Sequence, residues 1–147
     1  MKTKLILVSV SIAALALLAG CAAETPDVWG YVTTADSAQL ELAEEQTGNT
    51  SLAVDRVVAP ENSWIVVHLD DNGAPGDRVG LLAIEEGESA DLVVPLENVT
   101  TEKVIIAVHA DRGAEGEYDF NMMEKETSPD RPFFVDGSEL AKVVTLK

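Results

Sequence analysis

Lys103-Val104-Ile105-Ile106-Ala107-Val108-His109-Ala110 is the stretch that settles the fold class. Four of the five residues from Val104 to Val108 are β-branched, which suits a pleated chain better than a helix. The run shows no polar alternation, so it predicts a strand covered on both faces. Upstream, Trp64-Ile65-Val66-Val67-His68-Leu69 and Leu52-Ala53-Val54-Asp55-Arg56-Val57-Val58 repeat the character, with Ala59-Pro60-Glu61-Asn62-Ser63 between them. Residues 70–76 hold two Gly, one Pro, two Asp and one Asn, a dense turn signal. Residues 79–85 and 91–96 read as further strands, with Pro95 marking an edge or a strand end. Downstream, residues 117–122 alternate polar and apolar as a strand does. A loop at 129–132, the run Phe133-Phe134-Val135, the turn Asp136-Gly137 and a last strand over 140–146 follow. Seven to eight short, evenly spaced strands with no long helix predict an antiparallel immunoglobulin-like β-sandwich over residues 51–147. The cysteine pair of antibody domains is absent, so only the architecture is implied.

The N-terminal part is of another kind. Lys2 and Lys4 precede the uncharged, apolar residues 5–18. These fourteen residues match a signal-peptide core and fall short of the roughly 20 needed to span a bilayer. Leu18-Ala19-Gly20-Cys21 then resembles the lipobox of lipoprotein signal peptides. That resemblance implies cleavage between Gly20 and Cys21 and a diacylglyceryl group on the Cys21 sulfur. Cys21 is the single cysteine of the chain, so it has no disulfide partner. The alternative, an ordinary signal peptide cut after Ala22 or Ala23, would carry Cys21 away with the signal. Several acyl chains, at about 0.8 kcal/mol per buried methylene, hold a domain firmly on a membrane. Residues 1–20 are therefore expected to be a signal peptide. Residues 21–50, polar with few large apolar side chains, are expected to be an acylated, flexible tether. Trp29-Gly30-Tyr31-Val32 interrupts that tether. These aromatics are placed to dock on the domain or the lipid interface, or to form an edge strand.

Of 147 residues, ten are Lys or Arg and 26 are Asp or Glu. Losing residues 1–20 removes two lysines and no acids, which takes the formal charge from −16 to −18. Such a surface repels phosphate backbones, and nucleic acid is excluded as a partner. Three causes of the acidity stay open: solubility beside an anionic envelope, hydration at high salt, and binding of divalent cations.

Two segments echo each other. Val67-His68-Leu69-Asp70 is followed by Gly73-Ala74-Pro75-Gly76-Asp77, and Val108-His109-Ala110-Asp111 by Gly113-Ala114-Glu115-Gly116-Glu117. Each His stands two residues before an Asp, so the pair shares one face of an extended strand. In a sandwich of this strand count the two would lie in facing sheets, run the same way and bring their loops to one end. His68, Asp70, His109 and Asp111 would then suit Zn²⁺ or Cu²⁺, and the acidic loop Ca²⁺. The structural alternative is that the histidines donate to loop carbonyls and the Asp-Gly stretches simply turn the chain.

Residues 54–60 and 64–70, with Val108-His109-Ala110-Asp111-Arg112-Gly113 and residues 128–137, resemble a family of unknown function. That family occurs in haloarchaeal surface proteins and bacterial lipoproteins. The resemblance covers about residues 51–147 and implies a β-sandwich module at the cell surface, with no established activity. Lys2 and Lys4 stand where haloarchaeal lipoproteins commonly carry twin arginines, which favours a bacterial source. With no Gly-x-Ser-x-Gly motif and no free cysteine left after lipidation, a hydrolase is not expected. The expectation is a non-catalytic, lipid-anchored cell-envelope module with a structural role or a protein partner; the alternative is a metal-binding surface lipoprotein.

Overall fold

The computed structural model describes residues 27–147. Their regular structure is almost entirely strand: β1 (Tyr31–Thr33), β2 (Gln39–Glu41), β3 (Glu45–Gln46), β4 (Ser51–Ala59), β5 (Ser63–Asp71), β6 (Ala74–Ile84), β7 (Gly87–Pro95), β8 (Lys103–Ala110), β9 (Phe133–Val135), β10 (Ser138–Glu139) and β11 (Ala141–Leu146). A short 3-10 turn spans Met122–Glu124. The strands form an antiparallel-rich β-sandwich. One sheet has the order β3-β11-β8-β5-β6, the second β2-β4-β7, and a small third β1-β9-β10. The parallel pairs are β1 with β9 and β3 with β11. Six long strands match the expected runs, and the count rises to eleven through strands of only two or three residues.

The core lies between the two larger sheets. Ile65, Val67, Ile106 and Val108 from one pack with Leu52, Val54, Val57 and Val94 from the other, each at most 1% exposed. Burying each such side chain contributes roughly 1.5–3 kcal/mol. Strand β4 buries Leu52 and Val54 and then, out of step with a period of two, Val57 and Ala59. The register is the same on both sides of the change, but Asp55 and Asp91 leave the ladder between Val54↔Leu92 and Arg56↔Ala90. Asp91 has a φ of 52°, a local break in the pleat at the point where the inward parity changes.

The turn-rich residues 70–76 shorten to a two-residue hairpin loop. Asn72 and Gly73, at φ 54° and 90°, take the left-handed geometry that matches strand twist. Strand β6 accordingly starts at Ala74, earlier than the sequence suggests.

Three expectations are corrected. Folded structure begins well before residue 51: Leu40 and Leu42 are buried in the core, β2 pairs with β4, and β3 pairs with β11. A tether that ran to residue 50 would strip these apolar side chains from the sandwich. Residues 117–122 form no strand despite their alternation. Asp119 N–H donates to Asp130 Oδ2 and Asn121 N–H to Ser128 Oγ, so side chains take the donors a ladder would use. Strands β5 and β8, which carry the two histidines, are antiparallel neighbours in one sheet rather than parallel strands in facing sheets. The signal peptide, Gly20 and Cys21 lie outside the described residues.

Candidate functional site

The residues from Asp111 to Arg131 leave β8, cross its sheet's outer face and return to β9. Asp130, fully buried, organises this excursion. Its Oδ1 accepts from Arg112 N–H at 2.9 Å and Gly113 N–H at 3.1 Å, and its Oδ2 from Asp119 N–H at 2.7 Å. Three backbone donors thus replace the water that a carboxylate loses on burial. The Asp130 carbonyl also accepts from His109 Nδ1 at 2.8 Å.

A second fastening holds the N-terminal strand. The Tyr31 hydroxyl donates to Pro129 O at 2.8 Å. Its ring lies between the guanidinium of Arg112, 3.6 Å from the ring centroid, and that of Arg131, at 4.4 Å. Arg112 in turn donates to both carboxylate oxygens of Glu61, at 2.6 and 2.8 Å. Trp29 packs against Phe120, centroids 5.9 Å apart, and edge-on against Phe134 at 5.5 Å. The aromatics of the expected tether therefore dock on the domain, and Tyr31 opens an edge strand.

Under this cover β5 and β8 are buried on both sides, as the unbroken apolar run at 104–108 implies; Val66 and Ala107 on the outer face are at most 3% exposed. Cover is incomplete over one part of the sheet. There a groove of about 250 Å³ opens, floored by Ile105, Ala107 and Ala141 and walled by Trp29, Phe120, His68, His109, Glu139 and Lys142. A wider depression of about 720 Å³, with Arg78 and Tyr118 on its wall, adjoins it and shares His68, Phe120 and Met122.

The groove's titratable groups are shifted by burial. Desolvation lowers the His109 pKa to about 4 against its hydrogen bond to the Asp130 carbonyl, and the charge of His68 lowers it further. Desolvation likewise lowers His68, opposed by its bond to the Gly76 carbonyl at 2.8 Å. Both imidazoles are neutral at pH 7. A carbonyl only accepts, so each Nδ1 carries the proton and each Nε2 is left as an acceptor. Burial also raises the Glu139 carboxyl, against the pull of Lys125, and pushes the Tyr118 phenol up.

The two histidines thus line one groove, because Trp64↔His109 and His68↔Ile105 are cross-strand pairs on the same face. His109 stands four positions from His68 along the ladder, about 13 Å at the strand rise. The two aspartates go elsewhere. Asp70 Oδ1 accepts from Gly73 N–H at 2.6 Å and closes the hairpin. Asp111 Oδ2 accepts from Gly116 N–H at 2.9 Å. Asp111 N–H donates to Asn62 O, which puts Asp111 beside the start of β5 and about 26 Å of strand rise from Asp70. Among the described residues no three His, Cys, Asp or Glu side chains come together to hold a metal ion. Sequence reasoning missed Phe120, Glu139 and Asp130; His68, His109 and the Trp29-Gly30-Tyr31 cluster gave the signal for this side of the molecule. Among the described residues no helix is long and apolar enough to cross a membrane.

A family model described as Domain of unknown function (DUF7282) matches residues 38–146. The match starts ahead of β2 and so includes Leu40 and Leu42. No match was found among curated proteins or among solved structures.

Proposed function

The chain belongs to the family of the Domain of unknown function (DUF7282), and from that premise we propose that it is an exported, lipid-anchored cell-envelope module that works by binding rather than by chemistry. The anchor reading rests on Lys2, Lys4, the apolar residues 5–18 and Leu18-Ala19-Gly20-Cys21. Cys21 is the diacylated first residue of the mature protein, and Asp27 follows six residues later. The binding reading rests on one observation, the groove over the outer face of the five-stranded sheet. Its floor is apolar, its aromatic walls are fixed by stacking, and its histidines are held in one orientation by backbone carbonyls. Such a surface receives a partner with little reorganisation.

Mass spectrometry of the native protein tests the anchor. A mature chain that starts at Cys21 and carries the diacylglyceryl group is the expected result. A chain that starts further downstream, or an unmodified Cys21 thiol, overturns it. Loss of a radiolabelled lipid precursor in Cys21→Ala is the matching genetic test.

A further inference from the structure

We infer that the groove is a binding site for a small primary ammonium ion with an apolar or aromatic body. The inference rests on the groove being the working surface, and it is independent of the lipid anchor. Size comes first. About 250 Å³ lies below the roughly 300–1,000 Å³ of sites that take drug-sized ligands, so the occupant is small. The floor of Ile105, Ala107 and Ala141 takes an apolar body, and the rings of Trp29 and Phe120 give it faces to pack on.

The polar wall decides the sign. His68 and His109 each use Nδ1–H on a carbonyl and keep Nε2 as an acceptor. Glu139, half-buried, adds a carboxyl group. Lys142 is the one cation on the lining. Three acceptors against one donor call for a ligand that donates, and the formal charge of −16 raises the local concentration of cations.

The chain already places such a group beside two of the lining residues, Trp29 and Glu139. Lys125, a primary ammonium on an aliphatic stem, holds its Nζ 5.1 Å from the centroid of Trp29. It lies near enough to Glu139 to pull that carboxyl's pKa down against the effect of burial. The corner between Trp29 and Glu139 is therefore suited to an ammonium group, and a ligand competes with Lys125 for it.

The test uses the purified full-length protein in detergent, with benzylammonium as the probe and benzyl alcohol as its neutral counterpart. Binding is followed by calorimetry and by the backbone and indole NMR signals of Trp29, His109 and Phe120. Benzylammonium is expected to bind at least tenfold tighter than the alcohol. Glu139→Gln should weaken benzylammonium about tenfold and leave the alcohol unchanged, as loss of one charge-assisted hydrogen bond implies. Lys125→Ala should tighten benzylammonium two- to fivefold, because it removes the internal competitor; a structural role for Lys125 would not improve binding. Equal affinity for the two probes, or equal loss of both in Glu139→Gln, overturns the ammonium assignment and leaves the groove a neutral-ligand site. If neither probe moves the groove signals, the groove is not a working surface and both readings fall.

Discussion

Replacing Asp130 by Ala should be among the most damaging single changes outside the hydrophobic core. The carboxylate is fully buried and serves three backbone N–H groups, on Arg112, Gly113 and Asp119. Hydrogen bonds to a charged group contribute about 1.5–3 kcal/mol each, and a buried donor left without a partner costs about 1–3 kcal/mol. Three full losses would exceed what a surface loop can cost, because water reaches part of it once it relaxes. A net destabilisation of about 3–5 kcal/mol follows, a large share of the roughly 5–15 kcal/mol that holds a domain together. For a domain of this size that corresponds to a fall in Tm of roughly 10–20 °C. Asp130→Asn keeps one acceptor oxygen for Arg112 and Gly113 but turns a donor toward Asp119 N–H, and should lose about 2 kcal/mol. Urea unfolding followed by tryptophan fluorescence and by circular dichroism measures both. The groove should open as well, since the His109 Nδ1 bond to the Asp130 carbonyl depends on the same loop. A loss below about 1 kcal/mol in Asp130→Ala would refute the view that this carboxylate organises residues 111–131.

Other outcomes follow from the same structure. His109 binds a proton less well folded, at about 4, than unfolded, at 6.5, so acid favours the unfolded chain. Stability should fall between pH 6.5 and 4 by up to roughly 3 kcal/mol from this group, and His109→Phe should lose that part of the pH slope in thermal unfolding. Leu40→Ala should cost about 2–4 kcal/mol in chemical denaturation, and a chain beginning at Ser51 should fail to fold, since Leu40 and Leu42 belong to the core. Zn²⁺, Cu²⁺ or Ca²⁺ should leave the melting temperature unchanged, because Asp70 and Asp111 close turns far from each other; a saturable upward shift lost in Asp70→Ala and Asp111→Ala would restore the four-ligand site.

The long strands were legible because β-branched runs such as 64–69 and 103–110 leave the backbone little choice. The turn at Asn72-Gly73 was legible for the complementary reason, since few residues take positive φ. Partners were harder to read. Alternation tells a residue which face it occupies but not which strand lies beside it. Strand count in an assumed sandwich therefore put the two His-x-Asp segments in facing sheets, when β5 and β8 are neighbours in one. Strand β1 was legible only as an alternative for Trp29–Val32, and its partner was hidden for a related reason: three residues pair in parallel with β9, about a hundred positions away, and no local pattern announces that. Residues 117–122 carry a strand's alternation, but Asp130 and Ser128 side chains take their backbone donors first. The groove was the least legible part. Trp29, His109, Phe120 and Glu139 come together only after the residues beyond β8 fold back over the sheet.

The stack of Arg112, Tyr31 and Arg131 also fixes how the domain bears mechanical load. Tension arriving from the N-terminal side reaches Tyr31 before any other strand residue. Strand β1 runs parallel to β9, so a tug along its axis shears the Tyr31–Phe133 to Thr33–Val135 register as a unit instead of unzipping it rung by rung. Through Arg112 and Glu61 part of that force passes to the connection between β4 and β5, and so into both large sheets at once. A pull from the N-terminal side is thus shared by three sheets before strand β1 parts from β9.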